Sequence, residues 1–124
     1  MIYRMVAMVL GALMITSLFA DGETPKYLYK VLSVENWKAS DKTVKLSSED
    51  DAFIHLSTED QLDRIVGKYW AQVPEYVILK IDTSKLPGKL LFEANPGGEN
   101  KYYHLYNGSI PLNSIVESKT VKRS

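Results

Sequence analysis

Cysteine is absent from the 124-residue sequence. The chain therefore has no disulfide, no thiolate metal site, no cysteine nucleophile and no cysteine that could carry a lipid anchor. An excess of charge of one sign is also absent, because 15 basic residues stand against 15 acidic residues. This balance argues against an electrostatic nucleic-acid binder, which normally has a basic face and a high pI. We expect no nucleic-acid partner.

Histidine is scarce, with 2 residues, and neither HxxxH nor HExxH spacing occurs. The sequence therefore predicts no metal site. The hydrophobic fraction of 45% and the charged fraction of 24% are ordinary for a globular chain. The length suits one domain, since a domain usually needs about 100–150 residues.

The first twenty residues have the composition of a secretory signal peptide. Arg4 supplies a positive charge, and residues 5–19 carry none. This run is shorter than the roughly 20 apolar residues that span a bilayer. Cleavage is expected after Ala20 or Gly22. An uncleaved anchor or a buried helix are the alternatives. We predict a signal peptide at residues 1–20 and one globular domain at residues 21–124, exported to a bacterial periplasm or secreted, with no membrane association after the signal peptide is removed.

The rest of the chain predicts an α+β fold with a mostly antiparallel sheet and one main helix. A helix after Thr58 is marked by a capping box with Gln61 and by apolar residues at helical spacing, up to Tyr69 and Trp70. We expect both aromatic residues in the core. Residues 41–51 are polar and predict a solvated loop. Strands are predicted at residues 27–32, 52–56, 76–81, 90–93, 102–106 and 115–121.

The two histidines occupy similar positions in two predicted strands. Side chains alternate between the faces of a strand, so His55 shares a face with Ser57, opposite Leu56. Likewise, His104 shares a face with Tyr106, opposite its own leucine neighbour. If the leucines are core, both rings face outward, and replacing either histidine by alanine should cost under about 1 kcal/mol.

We therefore predict one cleft that contains both imidazoles, with Tyr29 and Tyr106 at its walls. Such a cleft suits a ligand that has a flat ring and hydroxyl or phosphate groups. The alternative is that each histidine is a half-buried hydrogen-bonding group. Thr58 is fully explained as a helix cap. Glu93, after three apolar residues, is either a catalytic carboxylate at the sheet rim or the first solvated residue of a loop.

Several of these stretches occur in the order seen in the family called domain of unknown function 952, which the sequence resembles from about Tyr27 to Val116. They are residues 28–31, Trp37, FIHLST at residues 53–58 with Gln61, residues 77–82, Glu93, residues 104–106 and residues 110–112. The resemblance implies an ADP-ribosyltransferase-like fold, which is a split, mostly antiparallel sheet around a nicotinamide-dinucleotide-type cleft. It implies these site residues: His55, Ser57, Thr58, Glu93, His104 and Tyr106. The strand that matches the first strand of known transferases carries Tyr29 and Lys30.

Three functions are open. The first is an exported domain that binds a nucleotide- or sugar-like small molecule without turnover. The second, implied by the resemblance, is an ADP-ribosyl-transfer enzyme with an NAD-like ligand: Glu93 stabilises an oxocarbenium-like transition state, His55 holds ribose hydroxyls and Tyr106 stacks on nicotinamide. The third is a protein-interaction domain without a small-molecule site. The oligomeric state is not indicated.

Overall fold

The computed structural model describes residues 23–123 of the chain. The predicted signal peptide and both predicted cleavage positions, Ala20 and Gly22, lie outside these residues. Within them, no helix combines the length and the apolar composition needed to cross a membrane.

The described residues form six strands and two α-helices. In chain order they are β1 (Tyr27–Ser33), α1 (Val34–Lys38), β2 (Ile54–Leu56), α2 (Leu62–Tyr69), β3 (Glu75–Asp82), β4 (Lys89–Ala94), β5 (Lys101–Tyr106) and β6 (Ile115–Lys122). Short 3₁₀ turns lie at Ser48–Asp50, Glu59–Gln61, Thr83–Lys85 and Leu112–Ser114.

The strands form two three-stranded sheets, in the orders β1-β3-β6 and β2-β5-β4. All pairings are antiparallel. One isolated bridge joins the sheets: Tyr29 N–H donates to Ser57 O at 2.7 Å, and Ser57 N–H donates to Tyr29 O at 2.9 Å. The predicted α+β class, antiparallel strands and single main helix are confirmed.

Local sequence signals explain where the helices begin. The Ser33 side chain accepts a hydrogen bond from Asn36 N–H at 3.0 Å, which satisfies an otherwise unpaired donor of α1. The predicted capping box also forms, and Thr58 N–H donates to the Gln61 side chain at 3.0 Å. The first turn after Thr58 is 3₁₀, and α2 follows it.

The core lies between the sheets and is built from alternating strand positions. Buried residues of β3 illustrate the pattern, because Val77, Leu79 and Ile81 share one face and are fully inaccessible. Leu56 and Leu105 also belong to the core, as the alternation predicted. The full buried cluster is Leu28, Leu32, Val44, Ile54, Leu56, Val77, Leu79, Ile81, Leu105 and Ile110.

Three sequence-based expectations differ from the structure. The strand predicted at residues 52–56 begins only at Ile54, after a bend. The core positions predicted for Tyr69 and Trp70 are wrong: Tyr69, the last residue of α2, is 57% exposed, and Trp70 is half-buried and lies outside the core cluster. Asp50 is not in a solvated loop, because its side chain is only 4% exposed.

Candidate functional site

The two histidines are direct partners on neighbouring strands. His55 of β2 pairs with His104 of β5, and the ring centroids are 5.4 Å apart in an edge-to-face arrangement. Their accessibility differs sharply, since the His55 side chain is 41% exposed whereas His104 is fully buried. Both rings lie on one face, opposite the core leucines, as strand alternation predicted, but only His55 is accessible there.

Phe53 is the reason for this difference. Its ring stacks on His104 with centroids 4.0 Å apart, and it also lies 5.2 Å from the ring of Tyr106. The centroid of His55 is 4.8 Å away, at a tilt. Phe53 precedes β2 and shares the histidine face, so its ring covers His104 and leaves His55 accessible.

His55 is held by a buried carboxylate. Its Nδ1 lies 3.0 Å from Oδ1 of Asp50, and its backbone N–H donates to the same oxygen at 3.0 Å. Lys30 donates to this oxygen at 2.9 Å and to the carbonyl oxygen of His55 at 3.0 Å. Burial raises the pKa of Asp50, but the hydrogen bond from His55 and the charge of Lys30 outweigh burial and place this pKa below its usual value.

Local backbone geometry carries Asp50 to this position. The 3₁₀ turn Ser48–Asp50 is closed by two backbone bonds, from Asp50 N–H to Ser47 O at 3.0 Å and from Asp51 N–H to Ser48 O at 3.1 Å. The bend that follows turns the chain into β2. As a result, the carboxylate of Asp50 lies beside the residue five positions later, while Asp51 remains exposed.

A second cluster surrounds His104. Its Nδ1 lies 2.8 Å from Glu93 Oε2, and its Nε2 lies 2.8 Å from Asn95 Oδ1. Tyr106 O–H donates to the same Glu93 oxygen. The hydrogen bonds from Tyr106 and then His104 lower the pKa of Glu93, and the bond to Glu93 raises the pKa of Tyr106.

A turn places Asn95 at the end of β4. Gly98 N–H donates to Asn95 O at 2.8 Å, and Gly97 between them has a φ of 78°, which glycine adopts without a steric penalty. Asn95 therefore links the buried cluster to the surface, because one side of its amide contacts His104 and its side chain also lines the cleft described next.

A cleft of about 430 Å³ lies where the two sheets part, under the C-terminal end of α2. The half-exposed ring of His55 is on its floor, and the Tyr29–Ser57 bridge closes one side. Its lining residues are Tyr29, Lys30, Val31, Glu49, Asp50, His55, Ser57, Ile65, Tyr69, Trp70, Asn95 and Tyr102.

The cleft brings together only part of the predicted site. Tyr29, His55 and Ser57 line it. Four other predicted residues do not: Thr58 caps the turn before α2 and donates to Asp60, and Glu93, His104 and Tyr106 bind one another beside Phe53. The expectation that Tyr106 forms a cleft wall is therefore wrong. Tyr102, four residues earlier on the same strand face, lines the cleft instead.

Sequence reasoning missed the residues that reach the cleft from outside the strands. Asp50, Asn95 and Trp70 come from a turn, a loop and a helix end. Asp50 had one usable signal, because an acid close in sequence to a histidine often orients its ring. Within residues 23–123, no group of three or more metal-ligating side chains is arranged to hold a metal ion.

Comparison with known proteins identifies the family. The profile of the family described as "Protein of unknown function (DUF952)" matches residues 30–118. The chain belongs to this family. Among curated proteins, no relative matches it.

Solved structures of one other protein share the fold of this family member. The crystal structure of CC0527 from Caulobacter crescentus superposes with a TM-score of 0.67 at 26% identity, covering 79% of this chain and 88% of that one. The solution NMR structure of CC0527 gives the same TM-score and identity over 81% of this chain and 88% of that one. CC0527 is itself uncharacterised.

Proposed function

We propose that this domain binds a small ligand that carries a ring and hydroxyl groups, of nucleotide or sugar type, in the cleft between the two sheets. The observation that carries the proposal is the half-exposed ring of His55, fixed by Asp50 at the floor of a cleft with aromatic walls. A concave site with apolar walls and a few fixed polar groups is the usual form of a small-molecule site, and its volume lies within the common range of about 300–1,000 Å³.

The aromatic walls supply the contact surface for a ring. Tyr69 and Trp70 come from the end of α2, and Tyr29 and Tyr102 come from the two sheets. Flat rings stack on such side chains, and the exposed position of Tyr69 leaves its ring available to do so.

The polar groups suit the hydroxyls of a sugar. His55 has no hydrogen bond at Nε2 within residues 23–123, and the hydroxyl of Ser57 lines the same cleft. An imidazole nitrogen and a hydroxyl are both able to accept or donate, so they can pair with a diol in either direction.

We also propose that the domain acts outside the cytoplasm, in a periplasm or as a secreted protein. The support is the charged start, the short apolar run and the small residues that follow it in residues 1–22. Mass spectrometry of protein from its native host should show a chain that starts near Asp21 or Glu23. A retained Met1 in membrane fractions would indicate an anchor.

ADP-ribosyl transfer is the second candidate, and two antiparallel sheets that part around a cleft with His55 on its floor favour it. In this reaction, an ADP-ribosyltransferase-like fold would bind an NAD-like ligand, and Glu93 would stabilise the oxocarbenium-like transition state. Glu93, however, is bound to His104 and Tyr106 and is not among the lining residues, which favours binding without turnover. Glu93→Gln should keep ligand affinity under both functions and abolish nicotinamide release only under transfer.

The test is calorimetric titration of the purified protein with nicotinamide riboside, NAD, adenosine and methyl β-ribofuranoside. Binding of at least one is expected. Tyr69→Ala should weaken it at least about fivefold, because a stacked ring contributes about 1–3 kcal/mol. Phe92→Ala is the matched control, since Phe92 is a similarly exposed aromatic residue outside the cleft, and affinity should not change. No binding at millimolar concentration would instead favour a protein-interaction domain, which the solution mass of the purified protein would begin to test.

A further inference from the structure

We infer that His55 is a general base for the hydrolysis of an uncharged, ring-bearing acyl ester in the cleft, and that Asp50 is the residue that positions it. The inference rests on the proposed function, because the ester occupies the cleft proposed for a ring-bearing ligand. It goes beyond that function by adding turnover and by naming the substrate class.

Asp50 fixes the ring of His55 in a single orientation. One carboxylate oxygen accepts from Nδ1 at 3.0 Å and from the backbone N–H of the same residue at 3.0 Å. A carboxylate only accepts hydrogen bonds, so Nδ1 carries the hydrogen and the neutral ring keeps a lone pair on Nε2. The lowered pKa of Asp50 keeps this group ionised.

Lys30 holds the carboxylate in place from the other side. Its amino group donates to Asp50 and to the carbonyl oxygen of His55, at 2.9 and 3.0 Å. The ammonium and the carboxylate are 9% and 4% exposed, so water competes little for these bonds. The three residues form a rigid unit, and Nε2 of His55, on a ring that is 41% exposed in the cleft, has no hydrogen bond to any residue in the described range 23–123.

Asn95 supplies a neutral polar group to the lining of the same cleft. Its side-chain amide lies 2.8 Å from Nε2 of the buried His104, and this contact fixes its position. An amide adds no charge beside the ester.

The hydrolytic step uses water as the co-reactant. His55 Nε2 takes a proton from a water molecule as the water oxygen bonds to the ester carbonyl carbon, and the carbonyl π electrons move to the carbonyl oxygen. The tetrahedral intermediate collapses, the bond to the leaving oxygen breaks, and this oxygen receives the proton from His55. The products are a carboxylic acid and an alcohol, and the ring returns to its neutral form.

The charges of the cleft point to an uncharged substrate. Among the described lining residues, the permanently charged side chains are Lys30, Glu49 and Asp50, and Lys30 is already paired with Asp50. A phosphate dianion would therefore meet the unpaired carboxylate of Glu49 without a free ammonium or guanidinium to compensate it. Within the proposed ligand class, this favours uncharged, sugar- or nucleoside-like molecules over phosphate-bearing ones. An acyl ester carries no charge and meets no such repulsion.

The first experiment compares hydrolysis of 4-nitrophenyl acetate and 4-nitrophenyl phosphate by the full chain. The acetate should be hydrolysed with saturation and the phosphate should not. His55→Ala should lower kcat/KM at least about 100-fold. Asp50→Asn should lower kcat about tenfold or more with KM within about twofold, as expected for a residue that acts through His55. Asp51→Asn is the matched control, an exposed neighbouring carboxylate that should leave both constants unchanged.

The second experiment measures the tautomer of His55 in the unmodified protein by ¹⁵N NMR, so it does not depend on the folding of a variant. The expected signature is a neutral ring with its hydrogen on Nδ1. A hydrogen on Nε2 would overturn the inference. So would any of three kinetic results: no hydrolysis of 4-nitrophenyl acetate, an unchanged rate of that hydrolysis in His55→Ala, or faster hydrolysis of 4-nitrophenyl phosphate. If nicotinamide riboside binds while any of these occurs, the binding function stands and only the catalytic inference fails.

Discussion

Two histidine–carboxylate pairs lie side by side on strands β2 and β5, and they differ in what covers them. His55 bonds to Asp50 and His104 bonds to Glu93, both through Nδ1. In the second pair, the ring of Phe53 covers His104, while the carboxylate of Glu93 stays 36% exposed. His104 is therefore suited to holding the sheet together, whereas His55 of the first pair presents its ring to a cleft. The same residue types in the same register can therefore make a structural pair and a candidate site, and the neighbouring ring decides which.

The largest difference between the pairs should be seen in stability. His104→Ala removes a fully buried ring, leaves a cavity under Phe53, and strips hydrogen-bond partners from Glu93 and Asn95. We expect a loss of about 2–4 kcal/mol in the free energy of unfolding, measured by urea denaturation. His55→Ala should cost under about 1 kcal/mol. Equal losses in the two variants would remove the distinction between them.

Asp50 should matter more to folding than its partner His55. Asp50→Asn leaves the ammonium of Lys30 buried without a compensating charge, and breaking a buried pair in this way typically costs about 3–5 kcal/mol. Because the side chains of Lys30 and Asp50 keep 9% and 4% of their exposure, we expect a smaller loss of about 2–3 kcal/mol in the free energy of unfolding. Urea denaturation measures this loss, and Asp51→Asn, at an exposed neighbouring carboxylate, is the control variant. A loss as small as that of the control would mean that the Lys30–Asp50 pair adds little.

Both pairs should contribute to acid sensitivity. The pKa values of Asp50 and Glu93 are lowered in the folded protein, so the unfolded chain binds more protons in acid. Their stabilising effect is fully present above their ordinary values of 3.8 and 4.5 and is lost as the pH falls through the folded values. Urea midpoints recorded from pH 7 to about pH 3 should fall, and Asp50→Asn should flatten part of the decrease. An unchanged slope in Asp50→Asn would contradict its lowered pKa.

The smallest expected effect concerns Tyr106. Its hydrogen bond to Glu93 raises its pKa above the ordinary value of 10.0, so its stabilising effect is present below that value and is lost as the pH rises through the folded value. Ultraviolet titration should show Tyr106 among the last tyrosines to ionise, and Tyr106→Phe should remove this late component. Loss of an early component instead would place the phenol in solvent.

Strand alternation was enough to predict that the two histidines share a face. The capping signal at Thr58 and the core positions of Leu56 and Leu105 were also predictable, because they depend on residues near one another in sequence. Alternation states which face a side chain takes and says nothing about what lies above it. The burial of His104 depends on the ring of Phe53, and the sequence shows neither the bend before β2 nor the direction of that ring.

The cleft itself was only partly predictable for a related reason. Asp50 lies in a run of polar residues that is typical of a solvated loop, and its burial depends on the 3₁₀ turn and on Lys30, twenty positions earlier. The two aromatic residues at the end of α2 fit a core stripe by spacing. The helix ends at Tyr69, and its last turn forms a wall of the cleft.

The bridge between Tyr29 and Ser57 joins two sheets that each have their own continuous ladder of backbone hydrogen bonds. Besides this backbone pair, the bonds from Lys30 to Asp50 and to the carbonyl oxygen of His55 and the shared core also hold the sheets together. The mouth of the cleft can therefore widen only if the Tyr29–Ser57 pair opens, and both ladders can stay intact when it does. The rate at which the amide hydrogens of Tyr29 and Ser57 exchange with deuterium therefore reports how often the two sheets separate at this bridge.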